Sequence, residues 1–161
     1  METLDPSPNE FVVRHRRAPS RVRAGADAAG AWTLVDPASG TYLLRTTTRN
    51  DPRGAWEAAV RSVHADDVVL PVLRDQDGVA HYPTGEVTVR FEVAPSNADL
   101  DAFALAQRLR LKRRNAFESQ QAVFEPADTP RDYLPDVVAR VAKASGVLRA
   151  WANTASHYTR A

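Results

Sequence analysis

The sequence predicts an α+β protein of two consecutive β-α-β-β-α-β units, each an antiparallel sheet with helices on one face, the first unit missing its first helix. Three observations carry this. "VTVRFEVAPS", Val87 to Ser96, alternates apolar and polar residues and breaks at a proline, the pattern of a half-buried strand. "FVVRHRRAPS", Phe11 to Ser20, matches it without a gap: Val13, Arg14, Ala18, Pro19 and Ser20 answer Val89, Arg90, Ala94, Pro95 and Ser96. Helical spacing then recurs in both halves, at Trp56, Ala59, Val60 and Val63 and at Leu134, Val137, Val138 and Val141, each set i, i+3, i+4, i+7. A repeat of about eighty residues follows.

In the first unit "FVVRHR" is a strand. "APSRVRAGADAAG" stands where a helix belongs, yet it has two glycines and no apolar stripe, so it reads as loop or one short turn. "AWTLVD" and "TYLLRTT" are strands around the turn "PASG". Asp51 caps and Pro52 opens the helix that carries Trp56. "DVVLPVLRD" closes the unit, and "DQDGVAHYPTG" links it to the next.

In the second unit the strand Val87–Val93 ends before Pro95. Ser96 and Asp99 form a capping-box pattern, opening a helix to about Arg108 with Leu100, Phe103 and Ala104 inward. "LRLKRR" and "QQAVFE" are strands around the turn "NAFES". In the first of these Arg110, Lys112 and Arg114 share one face, with Leu109 and Leu111 on the other. "DTPRDYLPD" opens the next helix; Pro135 belongs in a first turn, which favours Asp132 as the cap. Gly146 closes that helix, and "VLRAWA" is the last strand. The boundaries expected are a disordered start at 1–9, a degenerate unit at 10–75, a linker at 76–85, a second unit at 86–153 and an extended tail at 154–161.

The 161 residues are 43% apolar and 25% charged, globular proportions, and the net charge of +1 provides no global pull toward nucleic acid or membrane. The absence of cysteine excludes disulfides, thiolate chemistry and cysteine zinc sites. The start "METLDPSPNE" has neither a basic nor an apolar signal region, and no run reaches membrane-span length, so a cytoplasmic location is the expectation.

No nucleophile elbow or phosphate-binding glycine loop appears. His15, His64, His81 and His157 have no metal-ligand spacing and read as surface or capping residues. Asp75-Gln76-Asp77-Gly78 hints at a calcium loop but lacks the downstream bidentate glutamate, so it reads as a turn. No catalytic constellation, metal site or cofactor is expected, and the chain reads as no enzyme. The basic run Arg108–Arg114 could meet RNA only with exposed aromatics on the central strands, which are lacking; it reads as a solvated strand face.

Residues 85–161 nevertheless resemble the prodomains of subtilisin-like serine proteases. The matching residues are Val89-Arg90-Phe91, Ser96 to Leu100, Leu109 to Arg114, Ala122-Val123-Phe124, Val137 to Ala142, and Gly146-Val147 with Ala150 and Asn153. The first half resembles the pattern more faintly. One departure is "ALAQRLRL", which lacks the family's glycine before the second strand, so that helix end is expected to differ. The resemblance implies a ferredoxin-like fold whose open sheet face docks on two surface helices of the protease. It implies that an acidic group near the central hairpin, here Glu118, caps those helices. It further implies that the C-terminal tail, His157, Tyr158, Thr159, Arg160 and Ala161, enters the substrate cleft as an extra strand. The partner would be a subtilisin-like serine protease, in cis or in trans, which the module inhibits and helps to fold. The other reading is a non-catalytic interaction or regulatory module with a different partner.

Overall fold

The computed structural model describes residues 4–14, 31–36, 41–46, 51–63, 66–127 and 132–155. It is α+β, with antiparallel strand pairs and three helices among the described residues. Two units are distinguished: the described residues of Met1–Pro83 with those of Thr154–Ala161, and Thr84–Asn153.

In the first unit β1 (Asp5–Arg14), β2 (Ala31–Asp36), β3 (Thr41–Arg45) and β4 (Val68–Arg74) lie in the order β2-β3-β1-β4. Helix α1 (Pro52–Ser62) connects β3 to β4. Its start is the one expected: the Asp51 carboxylate accepts the Gly54 N–H at 2.6 Å, and Pro52, which has no N–H to lose, sits in the first turn. The helix buries Ala55, Trp56 and Ala59, and Trp56 Nε1 donates to the Val69 carbonyl at 2.8 Å. Every residue of Phe11–Val13 and of Val68–Leu73 is buried, so both faces of this sheet are covered at β1 and β4.

The disordered start expected at 1–9 is corrected from Asp5 onward. Asp5 pairs with Arg74 and Pro6 with Leu73, and the strand accommodates its prolines through a register shift before Phe11. Ser7 Oγ accepts the Asn9 and Glu10 N–H groups, and the buried Glu10 carboxylate lies between Arg74 and Arg45. The linker expected at 76–85 is instead a tight turn followed by the first half of β5 (Ala80–Phe91). Asp75 Oδ1 accepts the N–H groups of Asp77 and Val79, both at 2.9 Å, and Gly78 takes a φ of 78°. His81 Nε2 stands 2.9 Å from Asp75 Oδ2, and that hydrogen bond holds the Asp75 carboxyl below its ordinary value. Residues 18–30, His15, His64 and the turn at 37–40 lie outside the described residues.

In the second unit the Thr84–Phe91 part of β5 is followed by α2 (Asn97–Gln107), β6 (Leu109–Arg114), β7 (Gln121–Pro126), α3 (Leu134–Ala142) and β8 (Val147–Ala155). The order is β8-β5-β7-β6. With β5 in the role of β1 and β7 in the role of β3, this is the strand order of the first unit. The register repeats as well. Phe11–Leu44, Val12–Leu43, Val13–Tyr42 and Arg14–Thr41 recur as Val87–Phe124, Thr88–Val123, Val89–Ala122 and Arg90–Gln121.

Helix α2 opens with the expected capping box: Ser96 Oγ accepts the Asp99 N–H and Asp99 Oδ2 accepts the Ser96 N–H, both at 3.1 Å. Its Phe103 ring packs 5.0 Å from Phe91 and 5.5 Å from Phe124, which identifies the helix-covered face as that of Val87, Val89, Phe91, Ala122 and Phe124. Strand β5 stops at Phe91, so Val93, expected to continue the alternation, is exposed. Asp132 is not the cap of α3. Tyr133, buried, occupies that position with no side-chain cap bond, which places Pro135 at the second helical residue. Nor does Gly146 end α3, which stops at Ala142; Gly146 takes its φ of 80° in the turn into β8.

Candidate functional site

The face of the second sheet turned away from Phe103 is polar. Strand periodicity places Glu86, Thr88 and Arg90 of β5 there, with Gln121, Val123 and Glu125 of β7. β6 adds its basic residues, but not in the predicted set. A bulge between Leu111 and Arg113 moves the second half of the strand by one residue, so Arg113 pairs with Val123 and Arg114 with Ala122. The straight alternation Arg110, Lys112, Arg114 is therefore corrected. Arg113 joins the polar face, and Arg114 turns to Asn97 Oδ1 and the Pro95 and Ser119 carbonyls on the other side.

These side chains are joined in a lattice. Arg113 donates through both terminal nitrogens to the two Glu86 oxygens, 3.1 Å each, reaching from β6 to β5 over the buried Val123. Asn153 Nδ2 donates to Glu86 Oε2 at 3.4 Å, and Thr88 Oγ1 donates to Asn153 Oδ1 at 2.6 Å. Thr84 Oγ1 donates to the Asn153 carbonyl at 3.4 Å. Arg110 and Lys112 stand 3.3 and 3.6 Å from the two Glu125 oxygens. Arg113 is the main cause that holds the Glu86 carboxyl below its ordinary value; burial opposes it and Asn153 reinforces it. Arg113 is raised in turn by Glu86.

The lattice has chemical consequences. Three cations of this face stand against carboxylates of the same unit, Arg113 against Glu86 and both Arg110 and Lys112 against Glu125, while Arg90 shares the face with no such carboxylate from a described residue. Among the described residues no group of three His, Cys, Asp or Glu side chains could hold a metal ion. None of their helices is long and apolar enough to cross a membrane. The face is an array of side-chain donors and acceptors already bonded to one another across β5, β6 and β8.

Glu118 lies in the β6–β7 hairpin, at the end of this unit where β6 finishes and β7 begins. Its N–H donates to Asn115 Oδ1 at 3.3 Å, and its carboxylate accepts no hydrogen bond from a described residue. His157, Tyr158, Thr159, Arg160 and Ala161 lie outside the described residues. The sequence reading missed Glu86, Thr88, Arg113 and Asn153 as a connected set. The alternation around Val87 and Val89 already placed Glu86 and Thr88 on the second face; nothing local pointed to Arg113, because the bulge is set by pairing with β7.

Comparison of the chain with protein-family models, with curated proteins and with solved structures gave no match.

Proposed function

We propose that the chain is a prodomain-like module that binds a subtilisin-like serine protease, inhibits it and assists its folding. In this reading the protein is a tandem of ferredoxin-like units, the first lacking its first helix, and it works without catalysis of its own, in the cytoplasm. The observation that carries the reading is the second unit's division of labour. One sheet face packs on Phe103 and is apolar, while the other carries a rigid polar lattice anchored at Asn153, at the end of the chain's last described strand. A polar, hydrogen-bonded sheet face supports docking on helices that present their own polar groups. The β8-β5-β7-β6 order supports the ferredoxin-like assignment. Because β8 runs to Ala155, residues 157–161 then supply the segment that enters the cleft, with Glu118 facing the N-terminus of a protease helix.

The test is inhibition. Purified chain is titrated against a panel of subtilisin-like proteases with a chromogenic peptide substrate. The expected result is slow, tight inhibition of at least one member, lost when residues 154–161 are deleted. A chain that neither inhibits nor forms a complex with any of them sinks the reading and leaves the alternative, a non-catalytic interaction module with another partner.

A further inference from the structure

One stretch of the polar face carries positive charge that no described residue matches. Arg90 of β5 is half-buried and pairs across the sheet with Gln121 of β7. Its Nε is buried without an acceptor, and its terminal nitrogens bond to no described residue. Gln121 Oε1 is occupied by Asn115 Nδ2 at 3.2 Å, which leaves the two donors of the Gln121 amide nitrogen without a partner among the described residues.

Strand β8 brings a second cation. Thr84 meets Asn153 at one end of its pairing with β5, and Glu92 meets Gly146 at the other, so Arg149 and Trp151 fall level with Thr88 to Arg90. Asn153 bonds Thr88 and Glu86 on the polar face, and period two puts Trp151 on that face with it. The Arg149 guanidinium lies over the Trp151 ring, 4.9 Å from its centroid. The carboxylates of the face are already taken, Glu86 by Arg113 and Glu125 by Arg110 and Lys112. Glu92, two residues beyond Arg90, makes no ion pair with either arginine. Two guanidinium groups and an amide therefore share this stretch with donors unclaimed. The same face shows what completes such a group: Arg113 holds the Glu86 carboxylate through two bonds of 3.1 Å.

The first unit supplies the contrast. Arg14 occupies the same register, opposite the buried Thr41, and its Nε is likewise buried without an acceptor. An arginine at this position is thus part of the repeated frame. The second unit adds Gln121 on one side and Arg149 on the other, where the first has Thr41 and the apolar strand Val68–Arg74.

We infer that Arg90, Gln121 and Arg149 form a binding site for a carboxylate of an acidic peptide. The inference does not depend on the protease-binding reading, and its test contains no protease. The arginine Nε–H resonances of the isotope-labelled full chain are followed by NMR, burial keeping those of Arg90 and Arg14 in slow exchange with water. Tetraglutamate is titrated in, and tetraglutamine and inorganic phosphate are titrated separately. The Arg90 resonance moves to saturation with tetraglutamate and stays with tetraglutamine, the Arg14 resonance stays throughout, and the effect weakens as salt is added. Arg90→Gln weakens tetraglutamate binding at least about tenfold. Arg90→Lys weakens it less, since lysine keeps the charge and loses the fork. An Arg90 resonance that ignores tetraglutamate overturns the site, and that measurement on the wild-type chain needs no variant to fold. Equal movement with tetraglutamine, or of Arg14 alongside Arg90, also overturns it. Saturation by phosphate at lower concentration than by tetraglutamate overturns the carboxylate assignment in favour of a phosphate group.

Discussion

Val12 and Thr88 occupy the same place in two copies of one pairing frame, Val12 opposite Leu43 and Thr88 opposite Val123. Val12 is fully buried among apolar residues, in a sheet covered on both faces. Thr88 is also buried, but its hydroxyl donates to Asn153 within the polar lattice. The two units thus share strand order and register and differ in what one parity of one central strand carries. Strand order and one pairing register recur; the bonded polar face is seen in the second unit among the described residues.

The sharpest way to break that comparison is to exchange the two residues. Val12→Thr places a hydroxyl at a fully buried position between Leu43 and Leu70 and is expected to cost about 1–3 kcal/mol. Thr88→Val keeps the shape but leaves Asn153 Oδ1 without its donor, at a cost of about 1 kcal/mol. Urea unfolding of both variants checks this. If Val12→Thr proves neutral, the first sheet is not apolar on both faces.

The difference was partly legible in the sequence. The continuous runs "FVV" and "VVLPVL" have no polar parity, as strands buried on both faces require, whereas "VTVRF" alternates. The caps at Asp51 and Ser96 were legible too, because each is a contact three residues long. What local reading could not supply were features set by distant partners. Asp5–Asn9 look disordered until Arg74 and Leu73 pair with them and Arg45 and Arg74 neutralise Glu10. Arg113 looks interchangeable with its neighbours until β7 imposes the bulge. Asp132 looks like a cap until the burial of Tyr133 fixes where α3 begins.

A second prediction concerns the lattice itself. The Glu86 carboxyl is depressed by Arg113, so its folded value lies below the ordinary 4.5. A group depressed on folding contributes stability that is full above the unfolded value and is lost as pH falls through the folded one. Glu86→Gln is therefore expected to lower stability near neutral pH by about 1 kcal/mol, a figure already discounted for solvent screening. The gap between variant and wild type should close on acidification below the ordinary glutamate range. A gap that persists at low pH would mean that the residue contributes by packing and not by charge. No comparable acid sensitivity is expected from Val12 variants of the first unit, which carry no titrating group.

The smallest effect lies at the end of α2, at Arg108. Arg108 adopts φ 55° and ψ 47°, the left-handed conformation that favours glycine, with its N–H on the Ala104 and Leu105 carbonyls. It is the only non-glycine residue with positive φ among those described. A side chain in that region costs about 1–2 kcal/mol, while a glycine costs additional chain entropy on folding, so part of the gain is returned. Arg108→Gly is thus expected to stabilise the second unit by about 0.5–1 kcal/mol, read as a raised urea midpoint with unchanged slope. Arg108→Ala should gain nothing, because alanine retains the Cβ that creates the strain. If both substitutions behave alike, the benefit comes from removing the arginine's charge, and the backbone conformation is not the cause.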